Sequence, residues 1–241
     1  MILERNLFHV SSNILANAVV FDLETTGLSP SNDEIIQIAA VRIQAGKVNA
    51  RDQFFSYVKP RRTIDPFITS LTGITNRHVK GAPRPLEILK RFSAFCGDSL
   101  LIAHNGHAFD VPFLRSACGG RKTSFREYRY IDSMHLSWLI WGRERGVSHS
   151  LDHVVARLRV DRHAARRHDA RGDVALLADC VLRLIDRLDR VGWQREPKVY
   201  SCTLPSEVTK RAAAPYNTAG AGKPDAPPEV AAISLTNAKL R

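Results

Sequence analysis

Ala18-Val19-Val20-Phe21-Asp22-Leu23-Glu24-Thr25-Thr26-Gly27 is the first strong signal in the chain. Its short apolar run reads as a buried strand that ends in acids. Thr25-Thr26-Gly27-Leu28-Ser29-Pro30 reads as the turn that follows. If the strand continues through both acids, its period of two sends Asp22 and Glu24 to one face, about 7 Å apart along the chain. Such a pair suits a single hard cation. An isolated D-x-E more commonly caps a turn, because short acidic motifs match often by chance. Here the buried run before the acids and the Thr-Thr-Gly after them tip the balance toward a ligand pair.

Two β-rich runs follow at 35–43 and 53–58, separated by Ala45-Gly46-Lys47, so a hairpin or meander is expected. Beyond them the pattern alternates. Residues 83–95 have helical spacing, with prolines near the start and Gly97 at the stop, and 99–104 reads as another buried strand. A helix at 109–117 and a short strand at 128–131 come next, followed by helices at 134–141, 150–158 and 169–190. Three early strands followed by helix-strand alternation predict an α/β fold, a mixed sheet covered by helices. Residues 194–241 hold six of the twelve prolines and nine alanines without a sustained period. The expected organisation is an N-terminal extension at 1–17, one domain at 18–193, and a linker or tail at 194–241 that is disordered.

The chain has 241 residues, 44% hydrophobic and 24% charged, the composition of a folded globular protein. Its formal net charge of +11 favours a polyanionic partner without naming one. No apolar run approaches the roughly 18 to 20 residues of a membrane span, and the first residues are too polar for a signal-peptide core. No membrane association and a cytoplasmic location are therefore expected. The four cysteines are far apart, with no C-x-x-C pair, which argues against a zinc ribbon and for reduced, partly buried thiols.

Two further acids lie where elements begin. Asp110 ends His104-Asn105-Gly106-His107-Ala108-Phe109-Asp110, just after a buried strand; alone, it reads as a charge partner for a helix N-terminus or as a ligand. Asp173 stands five residues after His168 near the start of the last helix, in an arginine-rich segment that alone would read as solvated surface. Four acids and one histidine attached to core elements share a physical purpose. Mg²⁺ or Mn²⁺ takes carboxylate oxygens, and two such ions about 3.5 to 4 Å apart can clamp the attacking and leaving oxygens of a phosphodiester.

Phe21-Asp22-Leu23-Glu24-Thr25-Thr26-Gly27, His104-Asn105-Gly106-His107-Ala108-Phe109-Asp110 and His168-x-x-x-x-Asp173, in that order, resemble the three motifs of the DEDDh, or DnaQ-like, 3′–5′ exonucleases. Leu71-Thr72-Gly73-Ile74-Thr75 and Ser150-Leu151-Asp152-His153-Val154 resemble segments that accompany those motifs. The resemblance covers roughly residues 17 to 190 and is similar in pattern to the proofreading epsilon subunits of bacterial replicative polymerases, DNA polymerase III among them.

The resemblance implies a ribonuclease H-like fold, a five-stranded mixed sheet with helices on both faces. It implies that Asp22, Glu24 and Asp173 hold a first Mg²⁺, that Asp22 reaches a second, and that Asp110 supports the second; Mn²⁺ would substitute. It implies His168 as the general base for the attacking water, and release of nucleoside 5′-monophosphates one at a time. Thr25, Gly27 and Leu28 match positions that approach the terminal nucleotide, and Ile74 and Phe109 match apolar neighbours of its bases. Ile74, Leu28 and Phe109 read equally well as core. His104 and His107 are rival bases whose place before a strand-to-helix turn suits structure or substrate contact better, and Asn105 joins His104 on the substrate side. Asp132 reads as a strand-end or helix-cap acid.

Residues 115–171 hold thirteen Lys or Arg against six Asp or Glu, a cluster that could track phosphates or simply be a solvated face. Arg166-Arg167 beside His168 is its best candidate for phosphate contact. The expected partner is single-stranded nucleic acid, DNA ahead of RNA. A DNA polymerase subunit or a sliding clamp, docked through the tail, is a further partner. Trimming of RNA is the alternative within the same chemistry, since nothing in the motifs reads a 2′-hydroxyl. An accessory docking subunit is the alternative from a different class.

Overall fold

The computed structural model describes residues 13–119, 123–161, 170–193 and 195–206, and the side chains from Val174 onward in its last helix. Six strands form one sheet: β1 (Asn17–Thr25), β2 (Ile35–Gln44), β3 (Lys47–Tyr57), β4 (Leu100–Ala103), β5 (Ser124–Asp132) and β6 (Tyr200–Ser206). Their order is β3-β2-β1-β4-β5-β6. β1, β4 and β5 run parallel, while β2, β3 and β6 pair antiparallel with their neighbours, so the sheet is mixed as expected.

Among the described residues, the helices that follow the first strand are α1 (Pro66–Thr72), α2 (Asn76–Val79), α3 (Pro85–Cys96), α4 (Asp110–Cys118), α5 (Ser133–Trp141), α6 (Leu151–Leu158) and α7 (Ala170–Val191). The alternation of β1 sorts α3 to α7 into two layers, while α1 and α2 pack in a smaller cluster on Ile36 of β2. Val19, Phe21 and Leu23 enter one core with Ile88, Leu89 and Phe92 of α3 and Phe113 and Leu114 of α4. Ala18 and Val20 enter the other with Leu136 of α5, Val154 and Val155 of α6, and Val174, Leu177 and Val181 of α7. Burying both faces of a central strand explains why 18–21 reads as a continuous apolar run rather than an alternating one. Arg42 of β2 ties the first layer down. Its guanidinium donates to Asp52 at 2.6 Å, to Ser99 Oγ at 2.6 Å and to the Phe95 carbonyl at 2.5 Å, joining the sheet to the end of α3.

The structure departs from the sequence reading in two places. The expected five-stranded sheet has a sixth strand, and β6 lies inside the stretch read as linker or tail. Cys202 and Leu204 alternate into the first core from this strand, and Pro205 is tolerated because β6 stands at the sheet edge. The second departure is α1 and α2, between β3 and α3. Asp65 caps α1 by accepting the Phe67 N–H at 2.7 Å, and Gly73 ends it at φ 70°, a conformation that glycine adopts without a Cβ clash. Residues 1–12 of the N-terminal extension and 207–241 of the tail lie outside the described residues. Among the described residues, no helix is long and apolar enough to cross a membrane.

Candidate active site

The parallel strands β1, β4 and β5 end at Thr25, Ala103 and Asp132, and the first two motifs lie at or just past those ends. Side chains there are held by the sheet while the backbone beyond them is free to turn, the usual position of ligand sites in such sheets. Asp22 and Glu24 are both half-buried, with buried Leu23 between them. The parity of β1 puts the two acids on the face that carries Ala18 and Val20, the face that α7 covers. Asp173 belongs to the first turns of α7, one residue before the buried Val174; its side chain, with His168, Arg166 and Arg167, lies outside the described ones.

Asp110 joins β1 from the neighbouring segment. The β1–β4 pairing stops at Val20↔Ile102. Beyond it, the Leu23 N–H donates to Asp110 Oδ1 at 3.2 Å, so the carboxylate takes over where the strand ladder has ended. Asp110 is fully buried at the first position of α4. One strand, β1, thus presents Asp22, the anchor of Asp110 and Glu24 in three successive residues.

Asp132 organises the turn that leads to Asp110. It caps α5 by accepting the Met134 N–H at 2.9 Å, and also accepts the N–H groups of Asn105 at 2.9 Å and His107 at 3.0 Å. These bonds hold Asn105 at φ 58°, a left-handed conformation that asparagine tolerates better than most side chains. His104 is buried, with Nε2–H donating to the His149 carbonyl at 2.9 Å and Nδ1 at 2.9 Å from Ser133 Oγ. A histidine with both ring nitrogens engaged in the core positions the turn and is poorly placed to take a proton from water. Ser137 Oγ lies 2.6 Å from His149 Nδ1, so this polar chain extends into α5, and burial lowers the His149 pKa.

The turn after β1 is built as tightly. Thr25 is buried and its hydroxyl donates to the Gly27 carbonyl at 2.5 Å. Asp33 closes the turn from the other side, accepting from Thr26 Oγ1 at 3.2 Å and from the Ser29 N–H at 2.9 Å. A Cβ on Gly27 would stand 2.5 Å from the Asp33 carboxylate, so this glycine is required by close approach. Of the three apolar candidates for base contact, Ile74 is 2% exposed in a cluster with Ile36, Ile64, Ile68 and Val79, and Phe109 is 5% exposed against Phe113. Leu28, 48% exposed in the turn that follows β1, is the one that presents a surface. The sequence reading passed over Asp33; its signal was the turn-forming run Ser29-Pro30-Ser31-Asn32-Asp33.

Oxygen donors from carboxylates fit a hard divalent cation. Among the described residues, no three His, Cys, Asp or Glu side chains form a group able to hold a metal ion. Asp22 and Glu24 supply a pair; Asp173, expected to complete it, has its side chain outside the description.

An exonuclease family model, RNase T, matches residues 19–181. The DNA polymerase III subunit epsilon-like protein of Rhodobacter capsulatus is 40% identical over 179 residues, 72% of this chain and 24% of that protein. The DNA polymerase III PolC-type of Caldanaerobacter subterraneus subsp. tengcongensis is 35% identical over 191 residues, 79% of this chain and 13% of that one. The chain therefore spans a quarter or less of the length of these relatives. Among solved structures, Exonuclease X in complex with 5′ overhanging duplex DNA superposes with a TM-score of 0.56 at 23% identity, covering 73% of this chain and 94% of that one. The nuclease domain of 3′hExo, a DEDDh family member bound to rAMP, superposes at 0.60 and 20% identity, over 76% and 96%. At these identities the structural likeness establishes the fold, which is ribonuclease H-like.

Proposed function

Because the chain belongs to the exonuclease family whose model spans residues 19–181, we propose that it is a metal-dependent 3′–5′ exonuclease acting on single-stranded DNA or frayed 3′ ends. The observation that carries the reading is the β1 geometry: Asp22 and Glu24 on one strand face, with Asp110 anchored at the residue between them. Divalent ions, Mg²⁺ or Mn²⁺, would lower the pKa of the attacking water and neutralise charge on the scissile phosphate.

Asp22, Glu24 and Asp173 are the oxygen donors for these ions, with Asp110 supporting from the buried side. His168 Nε2 or Nδ1 accepts the proton of the attacking water, since an imidazole exchanges protons near neutral pH. Leu28, exposed at the turn after the acids, is the apolar contact for the terminal base. Nucleoside 5′-monophosphates leave one at a time. The kinship with proteins named as DNA polymerase III supports a proofreading role and association with a replicative polymerase or its clamp.

A gel time course with 5′-labelled single-stranded DNA and matching RNA, in Mg²⁺, Mn²⁺ or EDTA, tests the reading with wild type and Asp22→Ala side by side. The expected result is a ladder shrinking from the 3′ end of DNA, absent in EDTA and in the variant. A ladder on RNA alone would overturn the DNA assignment, and wild-type cleavage by Asp22→Ala would overturn the site.

A further inference from the structure

The strand missing from the sequence reading brings a second set of rings to the same end of the sheet. Tyr200, the first residue of β6, pairs with Tyr130 of β5, and their rings stack at 5.2 Å. His107, three residues before Asp110, stacks on Tyr200 at 4.1 Å with an interplanar angle of 25°, and its Nδ1 lies 2.7 Å from the Tyr130 hydroxyl. His135 is 5.7 Å from Tyr200 on another side, with Nδ1 at 3.3 Å from its hydroxyl, and 4.3 Å from Trp138.

Two cations flank the rings: Arg143 sits 4.1 Å over Trp138 and Lys198 4.8 Å over Tyr200. His107, Arg143 and Lys198 are exposed; Tyr200, His135 and Trp138 are half-buried. The platform adjoins the acids through the backbone, because Asp132 holds the His107 N–H and the Asn105 N–H in the turn that delivers Asp110.

The proposed function gives none of these residues a part in holding the divalent ions or in taking the proton of the attacking water. Tyr130 is buried and Tyr200 packs in part against the first core, whereas His107, Arg143 and Lys198 are exposed and His135 and Trp138 keep part of their rings at the surface. A row of flat rings bordered by exposed cations has the chemistry of a single-strand platform: every base has a π-face to stack, and the cations meet the phosphates. We infer that the His107–Tyr200–His135–Trp138 surface, with Arg143 and Lys198, binds the stretch of single-stranded DNA adjoining the terminal nucleotide. This rests on the exonuclease reading and adds how the strand is held beyond its last nucleotide.

Fluorescence anisotropy of 5′-fluorescein dT16 with the full chain in Ca²⁺ tests it. His107→Ala and the pair Arg143→Ala/Lys198→Ala are each expected to raise Kd about tenfold, the scale of one lost stack or of two lost phosphate contacts. His107→Phe keeps a flat ring and is expected to stay near wild type. The pair Arg183→Ala/Arg190→Ala removes the same charge from the exposed side of α7 and is expected to leave Kd within twofold. Unchanged binding in the first two variants, or an equal loss in the α7 pair, would overturn the platform while the exonuclease reading stands. Tighter binding of rU16 than dT16 would overturn its assignment to DNA. If wild type neither binds nor cleaves dT16, both readings fall.

Discussion

Asp110 Oδ1 accepts the Leu23 N–H across 87 positions of sequence, which locks the start of α4 to the strand that carries Asp22 and Glu24. The carboxylate has a structural duty and a proposed chemical one, and these separate by substitution. Asp110→Asn keeps an oxygen for the Leu23 N–H and is expected to fold like wild type yet lose cleavage. Asp110→Ala removes that acceptor and is expected to lose about 1–3 kcal/mol as well. Urea unfolding beside the gel assay checks both; equal stability of the two variants would sink the structural half.

Gly27 and Asp33 are coupled by space. Gly27→Ala would drive its Cβ into a carboxylate that is held by Thr26 and Ser29, and is expected to cost about 1–2 kcal/mol. With Asp33→Ala already in place, the same substitution is expected to cost far less. A double-mutant cycle measures the difference, and additive effects would contradict the close approach.

Stability should fall on both sides of neutral pH. Burial lowers the pKa of His135 and His149 below the usual histidine value, so their neutral forms are favoured in the fold. The unfolded chain then binds more protons on acidification, and the stability present above about pH 6.5 is lost as pH falls from there through the lowered values of the folded chain. At the alkaline end, burial pushes the Cys118 thiol up to about 11, the Cys202 thiol to about 12 and the Tyr130 phenol to about 12. The unfolded chain releases those protons first, so stability starts to fall above the ordinary thiol range near 8.5 and is lost as pH rises through the raised values of the folded chain. Urea midpoints should peak between about pH 7 and 8, and His149→Gln should flatten the acid limb.

Removal of β6 should damage the domain. Truncation before Tyr200 withdraws Cys202 and Leu204 from the first core and is expected to cost at least about 3 kcal/mol relative to truncation after Ser206. Thermal unfolding of the two truncated chains decides this, and equal melting temperatures would mean that β6 contributes nothing to the sheet.

β1, β2, β4 and the long helices α3 and α7 were legible because their apolar residues recur with a clear period and their ends carry glycine, proline or polar residues. β6 was not, since seven residues with a proline inside a proline-rich stretch look like a linker; the only clue was Tyr200-x-Cys202-x-Leu204. Ile74 and Phe109 could not be sorted between core and base contact, because an apolar residue beside a motif has the same sequence signature in either role. Structure buries both. The His107–Tyr200 stack joins residues 93 positions apart, a pairing that no local pattern encodes.

By itself the sequence determined which residues are the candidates for the chemistry and on which elements they lie, because alternation along a strand sends Asp22 and Glu24 to one side wherever that strand is placed. Only the tertiary structure decided what those residues meet. Asp110 reaches Leu23 because β4 ends early and leaves a backbone donor for it; His104 is taken out of contention as a base by Ser133 and His149; Asp132 becomes the clamp of the motif turn. Those outcomes depend on contacts between segments far apart in the chain, and such contacts are set by how two helical layers close over one sheet rather than by any run of neighbouring residues.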